Sequence, residues 1–181
     1  DVIFLRELSL THVLGGKSRS LVLSSDVLDF SVNGDWDFTD FSKVASHVFQ
    51  DIIVQEQELW PQAVFKFDIQ AGNIGWLADL IHLDVFISED THIFGKYNGT
   101  RKMWSTTMFI PEASYENNSG KDIVLASSQT QEVHNTTLKA DKLKFDTWNF
   151  SKVNLSSNGI VGPKRIQFSG VVEDSIPSKI I

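Results

Sequence analysis

The chain has 181 residues, 41% of them hydrophobic, and a formal charge of -7 from 16 basic and 23 acidic side chains. That composition excludes a disordered or fibrous chain, and the acidic balance works against phosphate backbones, so nucleic acid is not an expected partner. Cysteine is absent, which removes disulfides and thiolate metal sites, and no apolar run is long enough to span a bilayer as a helix.

Val2 to Leu14 and Arg19 to Ser24 read as extended segments parted by Gly15-Gly16, which predicts a hairpin. Leu28, Phe30, Val32, Trp36 and Phe38 then fall on alternate positions, with Gly34 on the same face and Asp29, Ser31, Asn33, Asp35 and Asp37 between them. This is the pattern of a half-buried strand. Phe41, Val44, Ala45, Val48, Phe49 and Ile52 follow at three- and four-residue steps, predicting an amphipathic helix from Thr39, its N-cap, to Ile53. Strand then helix recurs: Ala63, Phe65, Phe67 and Ile69 alternate with Val64, Lys66, Asp68 and Gln70. Asn73 then caps a stripe of Ile74, Leu77, Ala78 and Ile81.

From Thr91 onward only strands and turns are expected. Ile93, Gly95 and Tyr97 lead to a turn at Asn98-Gly99, and the return strand, Met103 to Ile110, is expected to stop at Pro111. Further strands are read at Ile123 to Ala126, Leu138 to Phe145, Trp148 to Leu155 and Ile166 to Val172. Turns are read at Asn117-Asn118-Ser119-Gly120, Asn158-Gly159 and Gly162-Pro163. The expected fold class is mainly β: one continuous, mainly antiparallel sheet whose strands bury one face, carrying two short helices. No linker or exact internal repeat divides the chain.

No catalytic motif emerges, and a non-enzymatic role without metal or cofactor is expected. His12, His47, His82, His92 and His134 have no metal-ligand spacing, and neither GxSxG nor a phosphate-cradling glycine loop is present. Asp29, Asp35 and Asp37 read as a solvated strand face rather than a glycosidase pair. Five Asn-x-Ser/Thr triplets, at Asn98, Asn117, Asn135, Asn149 and Asn154, fit polar strand faces better than glycosylation. Trp36, Trp60, Trp76, Trp104 and Trp148 keep an alternative open, a carbohydrate-binding β-sandwich or adhesin-type domain of a secreted protein, in which several tryptophans form a stacking platform.

The run Leu23-Ser-Ser-Asp-Val-Leu-Asp-Phe-Ser-Val-Asn-Gly-Asp-Trp-Asp-Phe38, followed by a short amphipathic helix, resembles a recurring pattern in the TamB proteins of the AsmA-like superfamily, particularly their Bacteroidetes members. Thr91-His-Ile-Phe-Gly-Lys-Tyr-Asn-Gly99, after the Asn73 to Ile81 stripe, is similar to the strand that follows a helix in that family, with Asp90 where the pattern has Gly. The resemblance covers about a third of the chain.

It implies a curved antiparallel sheet forming an open apolar groove, β-taco-like, within a long envelope protein. That protein would be anchored in the inner membrane and span the periplasm, with an outer-membrane β-barrel of the assembly family as a partner. The opening on Asp1 without Met fits a single β-rich segment, 1–181, of something longer. The implied function is bridge-like lipid transfer and outer-membrane assembly, with phospholipid acyl chains shielded in the groove. The lining residues on this reading are Leu28, Phe30, Val32, Trp36, Phe65, Phe67, Ile69, Ile93, Tyr97, Val153, Leu155, Ile166 and Phe168.

Overall fold

In a computed structural model of the chain the described residues are 8–15, 18–40, 43–44, 60–72, 85–160 and 164–173. Alternating sequences joined by short turns favour pairing with chain neighbours, and the result is an antiparallel meander from which β5 alone steps aside to pair with β7. The strands are β1 (Leu8–Gly15), β2 (Ser18–Ser25), β3 (Leu28–Asp35), β4 (Val64–Ala71), β5 (Val85–Ile87), β6 (Thr91–Asn98), β7 (Met103–Tyr115), β8 (Asn118–Thr130), β9 (Val133–Phe145), β10 (Trp148–Ile160) and β11 (Lys164–Glu173). They form one eleven-stranded open sheet, in the order β1-β2-β3-β4-β6-β7-β8-β9-β10-β11, with β5 paired to β7. The expected hairpins β1-β2 and β6-β7 are both present.

The second half is geometrically regular although its sequence is not. β7, β8, β9 and β10 are each 13 residues long, and successive strands begin fifteen residues apart. The turns between them have two residues, and the first of each, Glu116, Gln131 and Asp146, has a positive φ of 52°, 55° and 52°. That backbone shape ordinarily favours glycine or asparagine. Asp122 in β8 and Lys152 in β10 also have positive φ, 50° and 52°, at the fifth position of their strands. The register against β11 slips between Ser151 and Asn154. The inward phase shifts at the same level of the sheet. Along β9, His134, Thr136, Leu138 and Ala140 are covered, Asp141 and Lys142 are both exposed, and the covered series resumes at Leu143.

Several sequence expectations need correction. Pro111 does not end β7; the strand runs on to Tyr115. Glu112 turns both its N–H and its C=O to Ser88 beside β5, so Pro111 faces β8, whose pairing passes from Ile110↔Ile123 to Glu112↔Lys121 and skips Pro111 opposite Asp122 at positive φ, and the missing N–H breaks no ladder pair. Asn158-Gly159 is not a turn but part of β10, paired with Arg165 and Lys164. β3 ends at Asp35, so Trp36 and Phe38 lie beyond the strand. Helical residues begin at Phe38, which places Thr39 inside the helix; the Phe38 N–H donates to Asp37 Oδ1 at 2.8 Å. Lys43 and Val44 are also helical, while the rest of the 39–53 helix, the Asn73 to Ile81 helix and Gly162-Pro163 lie outside the described residues.

The packed core is local. Val32, Trp36, Val44, Ala63, Phe65, Tyr97 and Trp104 are buried together, with Leu21, Phe30, Trp60 and Phe67 against them. Residues 60–63 strap this end of the sheet. Tyr97 donates its hydroxyl to the Pro61 carbonyl at 3.2 Å, Gly99 N donates to the Ala63 carbonyl at 2.9 Å, and the Tyr97 ring stacks on Trp60 and Phe65 at 5.8 and 5.6 Å.

Candidate functional site: an apolar row across the sheet

Residues directly opposite in an antiparallel ladder project on the same face, so the register defines rows that run across the strands. One row reads Leu10, Leu23, Phe30, Ile69, Ile93, Met108, Leu125, Leu138 and Leu155, and Phe168 continues it by backbone register. It crosses ten strands without one polar side chain. At ~4.8 Å between neighbouring strands its length is about 43 Å.

The opposite face contrasts sharply. The row Val13, Ser20, Asn33, Lys66, Lys96, Ser105, Ser128, Asn135 and Asn158 contains one apolar residue, at the sheet edge. Hydrophobic-in, polar-out alternation is normally closed off by a second layer. Here the apolar row is only half covered: Leu23, Phe30, Ile69, Ile93, Met108, Leu125, Leu138 and Leu155 are all half-buried, and Leu10 is 66% exposed.

The rows beside it differ along the sheet. On β2, β3 and β4 the next row is Leu21, Val32 and Phe67, followed by Gly95 on β6; on β7 to β10 the same row is Thr106, Ser127, Thr136 and Ser157. Within it Ser127 Oγ lies 2.8 Å from Thr136 Oγ1 and 3.2 Å from His134 Nε2. Ser127 and His134 are both buried, 2% and 8% exposed. Gln129 accepts the Trp104 indole N–H at 3.1 Å. On the other side of the apolar row stand Ile110, Ile123, Ala140 and Val153, and past the phase shift Gly120, Leu143 and Phe150 line a cavity of about 140 Å³.

Every expected groove-lining residue whose side chain is described falls on this one face except Trp36, and Ile166 and Phe168 are placed by backbone register alone. Phe30, Ile69, Ile93, Leu155 and Phe168 belong to the central row; Val32, Phe67 and Ile166 to one neighbour; Phe65 and Tyr97 to the row beyond; and Leu28 and Val153 to the other side. Trp36, off the strand end, donates its indole N–H to the Arg19 carbonyl at 3.3 Å. Val32, Trp36, Phe65, Tyr97 and Val153 are buried, while Leu28, Phe30, Phe67, Ile69, Ile93 and Leu155 remain partly accessible. Sequence reasoning missed Leu10, Leu23, Met108, Leu125 and Leu138, whose common row appears only once the strands are paired.

Electrostatically the central row is neutral. Charge stands off the central row: Arg19, at the end of the row of Phe65 and Tyr97, pairs with Asp37 at 2.9 Å, and Lys121 pairs with Glu112 at 3.2 Å. The Phe38 N–H, and then the Arg19 guanidinium, hold the Asp37 carboxyl below its ordinary range. No group of three or more metal-ligating side chains occurs among the described residues. Trp36 and Trp104 are buried and Trp148 is 62% exposed on β10, so these three do not make a stacking platform. What the arrangement can do chemically is bury hydrocarbon. No protein-family model, curated protein or solved structure matches the chain.

Proposed function

We propose that this chain is a segment of a bridge-like lipid-transfer and outer-membrane assembly protein of the TamB/AsmA-like type, shielding phospholipid acyl chains along its apolar face. The observation that carries the reading is the uncharged row from Leu10 to Leu155, which runs perpendicular to the strands and stays partly open. A lipid tail in water exposes about 0.8 kcal/mol per methylene, on the order of 12 kcal/mol for sixteen carbons. An apolar path removes most of that cost at every point, so a tail can slide without catalysis. One leaflet's hydrocarbon is roughly 15 Å, half of a ~30 Å bilayer core. The ~43 Å row therefore holds more than two tails end to end.

On this reading the sheet curves into a groove open along the row. The partly accessible side chains contact lipid, and the buried cluster of Val32, Trp36, Phe65 and Tyr97 stiffens one wall. The full protein works in the periplasm from an inner-membrane anchor and hands its cargo toward an outer-membrane β-barrel partner. The test is photo-crosslinking inside cells: a photoreactive residue at Phe30 or Leu138 captures phospholipid, and one at Asp29 or Lys139 on the opposite face does not. Labelling of the opposite face alone sinks the proposal.

A further inference from the structure

One row of the apolar face changes its chemistry along the sheet. Next to the central row, β2, β3, β4 and β6 carry Leu21, Val32, Phe67 and Gly95, while β7, β8, β9 and β10 carry Thr106, Ser127, Thr136 and Ser157 at the same level. A hydroxyl lane about 14 Å long, at ~4.8 Å between strands, therefore runs beside Met108, Leu125, Leu138 and Leu155, about 7 Å away along each strand. Hydroxyls on an apolar face are costly unless they are hydrogen-bonded. The middle of the lane is satisfied internally: Ser127 Oγ lies 2.8 Å from Thr136 Oγ1, and His134 Nε2 stands 3.2 and 3.3 Å from the two oxygens. The ends of the lane are not. Thr106 Oγ1 reaches only the Phe94 carbonyl, at 3.5 Å, which is long for an O–H donor, and Ser157 Oγ has no hydrogen-bond partner among the described residues. Both side chains are half-buried.

We infer that this lane recognises the ester end of an acyl chain, so that the face takes ester-linked glycerolipids in preference to ether-linked ones, with Thr106 and Ser157 as the specificity-determining donors. The inference rests on the lipid-shielding reading above and adds which part of the lipid sits where. An ester carbonyl accepts hydrogen bonds and donates none, and each of these two hydroxyls has a proton to give. A chain laid on the row of Met108, Leu125, Leu138 and Leu155 brings its terminal ester one row to the side, onto the lane. On β2, β3, β4 and β6, where the same level carries no hydroxyl, only methylenes find a match. The ester end therefore rests on β7 to β10. The lane carries no charge, so it suits the neutral ester and not the phosphate of the headgroup.

The experiment is calorimetric titration of the chain with a short-chain diester phosphatidylcholine and with its diether analogue, both below their micelle concentrations. The two ligands differ only in the carbonyl oxygens. The expected result is that the diester binds about three- to ten-fold more tightly, the worth of one neutral hydrogen bond. Thr106→Val combined with Ser157→Ala is expected to bring the ratio of the two affinities to about one. The comparison on the unaltered chain stands even if the double variant fails to fold. Equal binding of both ligands by the unaltered chain, or a preference that survives in a folded double variant, overturns this inference and leaves the lipid-shielding reading in place. Binding of neither ligand overturns both.

Discussion

The ring of Phe67 on β4 lies across the backbone of Gly95 on β6, its directly opposed partner, so closely that a Cβ at residue 95 would stand 2.6 Å from Phe67 Cζ and 2.3 Å from the Ser105 carbonyl oxygen. The glycine lets the aromatic ring lie flat where the apolar wall passes from β4 to β7. Gly95→Val is expected to destabilise the fold by about 1–3 kcal/mol, as overpacking does, read as a lowered denaturant midpoint. Adding Phe67→Leu to Gly95→Ala should restore only part of the loss, because the Ser105 carbonyl remains in the way.

Leu125 and Leu138 face each other near the middle of the apolar row. Placing a carboxylate there puts an uncompensated charge in the path of a tail. Leu138→Asp should therefore cut the phospholipid retained on purification more than about ten-fold, since a charge held in hydrocarbon costs several kcal/mol. Lys139→Gln, one residue along and on the other face, should leave lipid retention unchanged. Mass spectrometry of extracted lipid reads both.

The two-residue turns hold Glu116, Gln131 and Asp146 at positive φ, where a side chain costs about 1–2 kcal/mol and glycine costs little. Glu116→Gly and Gln131→Gly should each raise stability by roughly 0.5–1 kcal/mol, measured by thermal or denaturant unfolding. Asp146→Gly should gain less, because aspartate tolerates this conformation better than glutamate or glutamine.

Asp37 accepts the Phe38 N–H and the Arg19 guanidinium, so its folded carboxyl titrates below the ordinary 3.8. A lowered folded value favours the folded chain above the ordinary carboxylate range, and that contribution disappears as pH falls through the lowered value. Carbonyl-carbon NMR titration should find Asp37 below 3.8, and Arg19→Gln should move it part of the way back, the Phe38 N–H remaining.

Much of the architecture was legible in single strands. The alternation in Leu28 to Gly34, in Ala63 to Gln70 and in Ile93 to Tyr97 placed each apolar side chain on the correct face, because the strand period of two is a local property of the backbone. Local signals misled where a neighbour overrode them. Asn158-Gly159 looks like a turn, yet the even spacing of the second half carries β10 through it to Ile160. Pro111 looks like a stop, yet the pairing of β7 with β8 skips it opposite Asp122, so no ladder bond is required of it.

The amino-acid order by itself determined that this is a β-rich chain of one-sided strands joined by short turns, since alternation, β-branching and turn residues act over a few positions. Only the tertiary structure decided that Leu10, Leu23, Phe30, Ile69, Ile93, Met108, Leu125, Leu138 and Leu155 stand in line, because register is a relation between strands and a slip of one residue would turn each apolar set to the opposite face. It also decided which apolar residues are sealed and which stay accessible. Val32 and Phe30 are indistinguishable in pattern, and one is buried while the other is not because residues 36, 44 and 60–63 converge over one end of the sheet.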